Sequence, residues 1–125
     1  MNENEIAALV VNTSFMIHRE LGPGLFESVY EEVLAYELEN QGLEVERQKT
    51  IDIEWDGIKL GAGFKADIIV NNKVILELKS VEKVQPIHQK QLQSYLRLTG
   101  LKLGLLINFN ERLIKDGIQR IVNGL

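Results

Sequence analysis

The stretch Lys65-Ala-Asp-Ile-Ile-Val-Asn-Asn-Lys-Val-Ile-Leu-Glu-Leu-Lys79 decides the fold, because it holds two apolar runs joined by two asparagines. This pattern predicts a β-hairpin. A two-residue turn would pair Val70 with Lys73 and put charged side chains on the apolar face. A three-residue loop, 71–73, pairs Val70 with Val74 and separates the faces, so we predict that register. The apolar face then carries Phe64, Ala66, Ile68, Val70, Val74, Leu76 and Leu78, and the other, expected to meet solvent, carries Lys65, Asp67, Ile69, Ile75, Glu77 and Lys79.

The second face holds the candidate chemistry. In this register Asp67 lies directly opposite Glu77, with Cβ atoms about 5 Å apart. Two adjacent carboxylates repel each other unless a proton or a cation lies between them. Oxygen ligands without thiolates suit Mg²⁺ or Mn²⁺, and Lys79 points the same way, where it could orient a water or stabilise charge on a phosphate. The alternative is a ladder of charges on an open sheet face, which is common.

The rest of the chain predicts helices around this sheet. Gly22-Pro23-Gly24 separates two helical patterns, with Asn4 as N-cap of the first, and Pro86 begins a third. A mixed α/β or α+β sheet flanked by helices follows, in a single domain over residues 1–125. The predicted helices cover 5–21, 26–40 and 86–98 and the strands 43–55, 58–60, 64–70, 74–80 and 101–108, with a break at Gly61 and Gly63 and with 118–122 either strand or helix.

The composition of the chain excludes several classes of protein. The 125 residues include no cysteine, which excludes disulfides and thiolate metal sites. No apolar run is long enough to span a bilayer and the acidic N-terminus does not resemble a signal peptide, so we expect a cytoplasmic protein that does not bind membranes. The net charge is −4, but residues 79–125 hold 8 of the 14 basic residues and only 3 of the 18 acidic ones. That part could face a polyanion, but on charge alone simple solvation of the acidic helices is the favoured interpretation.

Three blocks of residues carry a resemblance to a known family. Asp67 followed by Glu77-Leu78-Lys79 resembles the D-x(n)-(D/E)-x-K core of the PD-(D/E)XK nuclease superfamily. Gln91-Leu-Gln-Ser-Tyr95 resembles the Q-x-x-x-Y helix motif of its RecB-like branch. Gly24-Leu-Phe-Glu-Ser-Val-Tyr30 is similar to the signature of the GxxExxY family. The blocks occur in the family's order and cover nearly the whole chain, with Ala66 in place of the proline before the first aspartate.

The resemblance implies a restriction-endonuclease-like fold and a metal-dependent nuclease. It implies that Asp67, Glu77 and the carbonyl of Leu78 bind Mg²⁺ or Mn²⁺ and that Lys79 is the catalytic lysine. Glu27 would orient a water or Lys79. Nucleic acid, with DNA favoured over RNA, would be the substrate, and a homodimer is plausible because so small a domain has little surface with which to grip a duplex. The implied substrate-binding residues are Gln91, Tyr95 and Tyr30.

Two other interpretations stay open. The chain could be a catalytically inactive module of the same fold that binds nucleic acid or protein, because its net charge is negative and no dense basic groove is evident. It could also be a subunit of a larger assembly whose acidic second helix meets a basic partner. Among the remaining residues, His88 is interpreted as a solvent-facing or capping residue and Trp55 as a core or rim residue.

Overall fold

The computed structural model describes every residue of the chain except Ala62, and it shows a five-stranded mixed sheet flanked by helices. Spatial order follows chain order, β1-β2-β3-β4-β5, and β3 and β4 are parallel while the other neighbours are antiparallel. The predicted α/β class is confirmed. The elements are α1 (Glu3–Leu21), α2 (Glu27–Asn40), β1 (Val45–Trp55), β2 (Ile58–Val70), β3 (Val74–Lys79), α3 (Pro86–Thr99), β4 (Leu103–Asn108), a 3-10 turn (Ile114–Gly117) and β5 (Ile118–Val122).

Helices cover both faces of the sheet. Helices α1 and α2 pack against one face, where the core includes Leu34, Ile68 and Leu76. Helix α3, which connects the parallel strands β3 and β4, packs against the other face through Leu92 and Leu96. None of the described helices has the length and apolarity that crossing a bilayer requires. Because helices cover both faces of the sheet, a functional site is expected near the ends of the strands.

The predicted hairpin register is confirmed. Val70 pairs with Val74, and the amide of Lys73 donates a hydrogen bond to the Val70 carbonyl over 2.9 Å. Asn71 and Asn72 have φ values of 51° and 52°, the left-handed conformation that asparagine tolerates better than most residues. Register and loop length therefore follow from keeping charges out of the apolar core.

The expectation that the charged face of the hairpin meets solvent is wrong. Ile69 and Ile75 are 2% and 0% exposed because α3 covers them. Phe64 and Ala66 also change sides: Phe64 stacks on Tyr95 of α3, and Ala66 belongs to the α3 core. Side-chain alternation along β2 therefore switches at Asp67, between Ala66 and Ile68, which a regular strand pattern does not anticipate.

Other local predictions are corrected. The N-cap of α1 is Asn2, whose side chain accepts from the amide of Glu5 while Glu5 bonds back, a capping box that starts the helix earlier than predicted. Strand β2 spans Ile58–Val70, and its register with β1 shifts between the pairs Asp52–Gly63 and Glu54–Lys59, where a break was predicted. At Gly63 a Cβ would collide with the Ile51 carbonyl of β1. Trp55, at the tip of the β1–β2 hairpin, is 69% exposed and is therefore not a core residue. The last segment is a strand.

Candidate functional site

Asp67 lies where the pairing between β2 and β3 ends. The ladder between these strands covers Ile68–Val70 on β2. Beyond the ladder the Asp67 side chain, instead of the backbone, bonds to β3: its Oδ2 accepts a hydrogen bond from the backbone amide of Leu78 over 2.8 Å. This bond holds the Asp67 carboxylate against β3, next to Glu77. The adjacency of the two acids agrees with the predicted register.

Glu77 is a buried acid. It is 8% exposed, and its Oε1 has no hydrogen-bond partner among the described residues. Burial, followed by the charge of Asp67, raises the pKa of Glu77 to about 9, and the smaller effect of Lys79 opposes the rise. In the absence of a cation the carboxyl therefore holds a proton at neutral pH.

Lys79 and Glu27 lie around this pair. Lys79 ends β3, is half-buried, and lowers the pKa of both Glu77 and Glu27 by its charge. Glu27 is exposed at the first position of α2, where partial burial and the Asp67 charge raise its pKa more than Lys79 and His88 lower it. These mutual effects place Glu27 within electrostatic reach of Asp67 and Lys79. His88 caps α3 through a bond from the Gln85 amide to Nδ1, as interpreted.

Two contacts hold the loop before Glu27 in place. The Ser80 hydroxyl donates to the Leu25 carbonyl over 2.6 Å, which joins this loop to the end of β3. The Tyr30 hydroxyl donates to the Gly22 carbonyl over 2.6 Å and accepts from the Leu25 amide over 3.2 Å. Glu27 is thus positioned relative to Lys79 through the backbone of Leu25.

Tyr30 does not belong to the substrate surface. It is fully buried, and its ring stacks on Phe109 with centroids 4.4 Å apart. The prediction that Tyr30 binds substrate is therefore corrected: the residue anchors the glycine turn that precedes α2. Its spacing from Glu27 places both on neighbouring positions of the helix, but one points to the core and the other to solvent.

Tyr95 and Gln91, the two predicted site residues of α3, differ in burial and in contacts. Tyr95 is half-buried, stacks on Phe64 with centroids 3.7 Å apart, and has its pKa raised by burial and by the charges of Glu77 and Asp67. It therefore borders the acid pair. Gln91 is exposed one turn earlier on α3, and none of the side-chain hydrogen bonds found in the described part of the chain includes it.

Asn108 is a residue that the sequence analysis missed. It is fully buried at the end of β4, paired with Lys79. Its Oδ1 accepts from the amides of Val81 and Asn110, and its Nδ2 donates to the Val81 carbonyl over 2.9 Å. These bonds fix the chain just after the lysine. Only the position of Asn108 at the end of an apolar strand could have indicated it.

A second missed group lies beside Asp67. Gln48 of β1 donates to Asp67 Oδ1 over 3.3 Å and to Glu31 Oε1 over 2.5 Å. Glu31, on α2, is 8% exposed and forms an ion pair with Arg47 at 3.0 Å. Helical spacing places Glu31 on the same face of α2 as Tyr30 and Leu34, but it does not indicate the partners Arg47 and Gln48.

The side chains of this site supply part of the ligand set that a divalent cation requires. Within the described residues, no group of three or more histidine, cysteine, aspartate or glutamate side chains could hold a metal ion. Asp67 and Glu77 supply two carboxylates, and Glu77 Oε1, which has no hydrogen-bond partner among the residues described, is a buried oxygen that a cation would satisfy. Any further protein ligand would therefore be a backbone carbonyl or a neutral side-chain oxygen.

The fold is a mixed α/β sheet flanked by helices, and two acids with a lysine beside them lie at the end of β3. The chain belongs to the PD-(D/E)XK nuclease superfamily, whose family model matches residues 4–121. Among solved structures, the chain is similar to an alkaline exonuclease (LHK-Exo) from Laribacter hongkongensis, with 20% identity, a TM-score of 0.52, and coverage of 97% of this chain and 69% of the other. That likeness shows the shared fold. No curated protein matches the chain.

Proposed function

We propose that this chain is a metal-dependent nuclease that hydrolyses phosphodiester bonds in nucleic acid, with DNA as the substrate. The observation that carries the proposal is the buried Glu77 carboxyl, whose neighbours are Asp67 and Lys79 and whose Oε1 lacks a partner in the part of the chain that the structure describes. A purely structural acid would be expected to have its buried oxygens hydrogen-bonded. Membership of the nuclease superfamily supports the same conclusion.

The residues that would hold Mg²⁺ or Mn²⁺ are Asp67, Glu77 and the carbonyl of Leu78. Phe109 of the β4 side donates to the Lys79 carbonyl over 2.9 Å. Because successive carbonyls of a strand point to opposite edges, the Leu78 carbonyl points toward Asp67, as its amide does. A bound divalent cation would neutralise charge on the scissile phosphate and lower the pKa of a bound water.

The other side chains of the site orient the attacking water and bind the substrate. Lys79 donates hydrogen bonds that orient the attacking water and offset negative charge at phosphorus. Glu27, at the rim of the site, positions that water or the Lys79 ammonium. Tyr95 holds its hydroxyl proton at neutral pH, as tyrosines ordinarily do, and burial raises its pKa further, so it can donate to a phosphate oxygen. Gln91 is exposed where a strand of nucleic acid could reach it.

Cleavage assays test the proposal. The wild-type chain should cut DNA with Mg²⁺ or Mn²⁺ and should stop with a chelator, while Lys79→Ala and Glu77→Ala should lose at least about 100-fold in rate. Lys83→Ala is the matched control, because Lys83 is exposed outside the site. RNA in parallel reactions tests the substrate assignment. No metal-dependent cleavage of any nucleic acid, or equal rates in wild type and site variants, would contradict the nuclease function.

A second candidate is a catalytically inactive module that binds nucleic acid or protein. It is favoured by the lack of a third metal-ligating side chain near Asp67 and Glu77 within the described residues, and by the net charge of −4. Calorimetry with Mn²⁺ discriminates between the two. Failure to take up the ion at millimolar concentration favours the inactive module.

A further inference from the structure

The bonding partners of Asp67 extend beyond the proposed catalytic residues to β1. Gln48 Nε2 carries two hydrogens, and it donates one bond to Asp67 Oδ1 and one to Glu31 Oε1. Both bonds can therefore form at once. Gln48 links a buried carboxylate of α2 to a carboxylate of the site.

The backbone of Gln48 is specialised for this position. Its neighbours Arg47 and Lys49 pair regularly with Ile68 and Ala66, so Gln48 lies across from Asp67. Its φ is 49°, a left-handed conformation that side chains with a Cβ rarely adopt and that persists only where surrounding contacts hold it. This irregularity coincides with the point at which side-chain alternation switches on β2.

The other end of the link is firmly held. Arg47 donates to Glu31 Oε2 through Nε at 3.1 Å and through Nη2 at 3.0 Å, which leaves Oε1 for Gln48. Charge-assisted bonds of this kind are stronger than neutral ones. Glu31 is therefore a rigid acceptor that fixes the Gln48 amide.

We infer that Gln48 is a positioning residue that sets the orientation of the Asp67 carboxylate for the divalent cation, an inference that rests on the proposed function. The amide of Leu78 holds Oδ2 and Gln48 holds Oδ1, so two donors fix the plane of the carboxylate. Each oxygen keeps a lone pair for a cation. Residues that orient metal ligands in this way commonly change metal affinity 10- to 100-fold when replaced.

Two substitutions separate positioning from folding. Gln48→Met keeps the length of the side chain without its donors, and Gln48→Gly removes the side chain but suits a left-handed backbone. Calorimetric titration of the metal-free full chain with Mn²⁺ should show about tenfold weaker binding in both variants. Thermal unfolding without metal should show the glycine variant at least as stable as the methionine variant. Lys49→Met, at an exposed neighbour on β1, is the control that keeps wild-type affinity.

The outcomes separate this inference from the nuclease function. Equal Mn²⁺ affinity in the wild type and both Gln48 variants overturns the positioning role and leaves the nuclease function standing. A wild type that binds Mn²⁺ but cleaves no nucleic acid overturns the nuclease function, while weaker binding in the variants still supports the positioning role. A wild type that takes up no Mn²⁺ overturns both.

Discussion

The backbone amide of Leu78 donates a hydrogen bond to the Asp67 carboxylate over 2.8 Å, so an acidic side chain of β2 takes a backbone donor of β3 just beyond their ladder. This bond brings Asp67 beside the buried Glu77, where burial and the charge of Asp67 raise the pKa of Glu77. The electrostatic consequences can be measured in the metal-free protein.

The stability of the metal-free protein should fall as pH rises from about 5 to about 9. The pKa of Glu77 is about 9 in the folded chain against an ordinary value of 4.5. Between these values the unfolded state releases a proton that the folded state keeps, so the free energy of unfolding decreases with pH. Below 4.5 and above 9 this effect is flat.

Glu77→Gln removes that pH dependence. The variant should exceed the wild type in Tm at pH 8 and approach it at pH 5, with about 4 °C for each kcal/mol of relieved destabilisation in a domain of this size. Calorimetric unfolding in the presence of a chelator measures the difference. Parallel Tm profiles of variant and wild type across this pH range would contradict the assignment of a buried proton to Glu77.

Divalent cations should stabilise the fold through the same acids. At a Mn²⁺ concentration about 100 times its Kd, binding adds about 2.7 kcal/mol to the free energy of unfolding. Asp67→Asn should gain little from the ion, whereas Glu82→Gln, an exposed acid outside the site, should gain as much as the wild type. An equal rise of Tm in Asp67→Asn would place the ion elsewhere.

Tyr30→Phe tests the corrected role of Tyr30. The variant keeps the stack on Phe109 but loses the hydroxyl bonds to Gly22 and Leu25, which should cost about 1–2 kcal/mol of stability. Cleavage should slow because the loop before Glu27 loosens, while Mn²⁺ affinity stays unchanged. A higher KM with an unchanged Tm would instead indicate that Tyr30 touches substrate.

Asn108→Ala tests whether Asn108 holds the chain in place just after Lys79. The substitution removes three hydrogen bonds and leaves partly buried backbone groups of Val81 and Asn110 without these partners, a loss of about 2–3 kcal/mol. We expect a lower Tm and slower cleavage because the end of β3 is less well fixed. Asn12→Ala, on the exposed side of α1, serves as the control. Wild-type stability in Asn108→Ala would refute the supporting role.

The hairpin was predictable because a wrong register would have buried charges. The same rule of burial gave the loop 71–73 and the adjacency of Asp67 and Glu77. The start of α3 at Pro86 was predictable because proline restricts the backbone locally. Superfamily membership was also predictable, since the three motif blocks occur in one order; assignment to the GxxExxY family stays a prediction.

The rest depended on contacts between distant segments. Ile69 and Ile75 interrupt the charged face, but alternation alone did not show that α3 would cover them. The left-handed Gln48 and its bonds to Glu31 and Asp67 depend on the meeting of α2, β1 and β2. No local pattern in the sequence encodes such a meeting.

The most direct test of the central claim is a crystal structure of the wild-type chain with Mn²⁺, measured for anomalous scattering. The claim is that Asp67 and Glu77 together hold a divalent cation. We predict one strong anomalous peak about 2.2 Å from an oxygen of each carboxylate, with Glu77 Oε1 as a ligand. A fully loaded crystal with no peak between the two carboxylates, or with Glu77 still uncoordinated, would contradict the account.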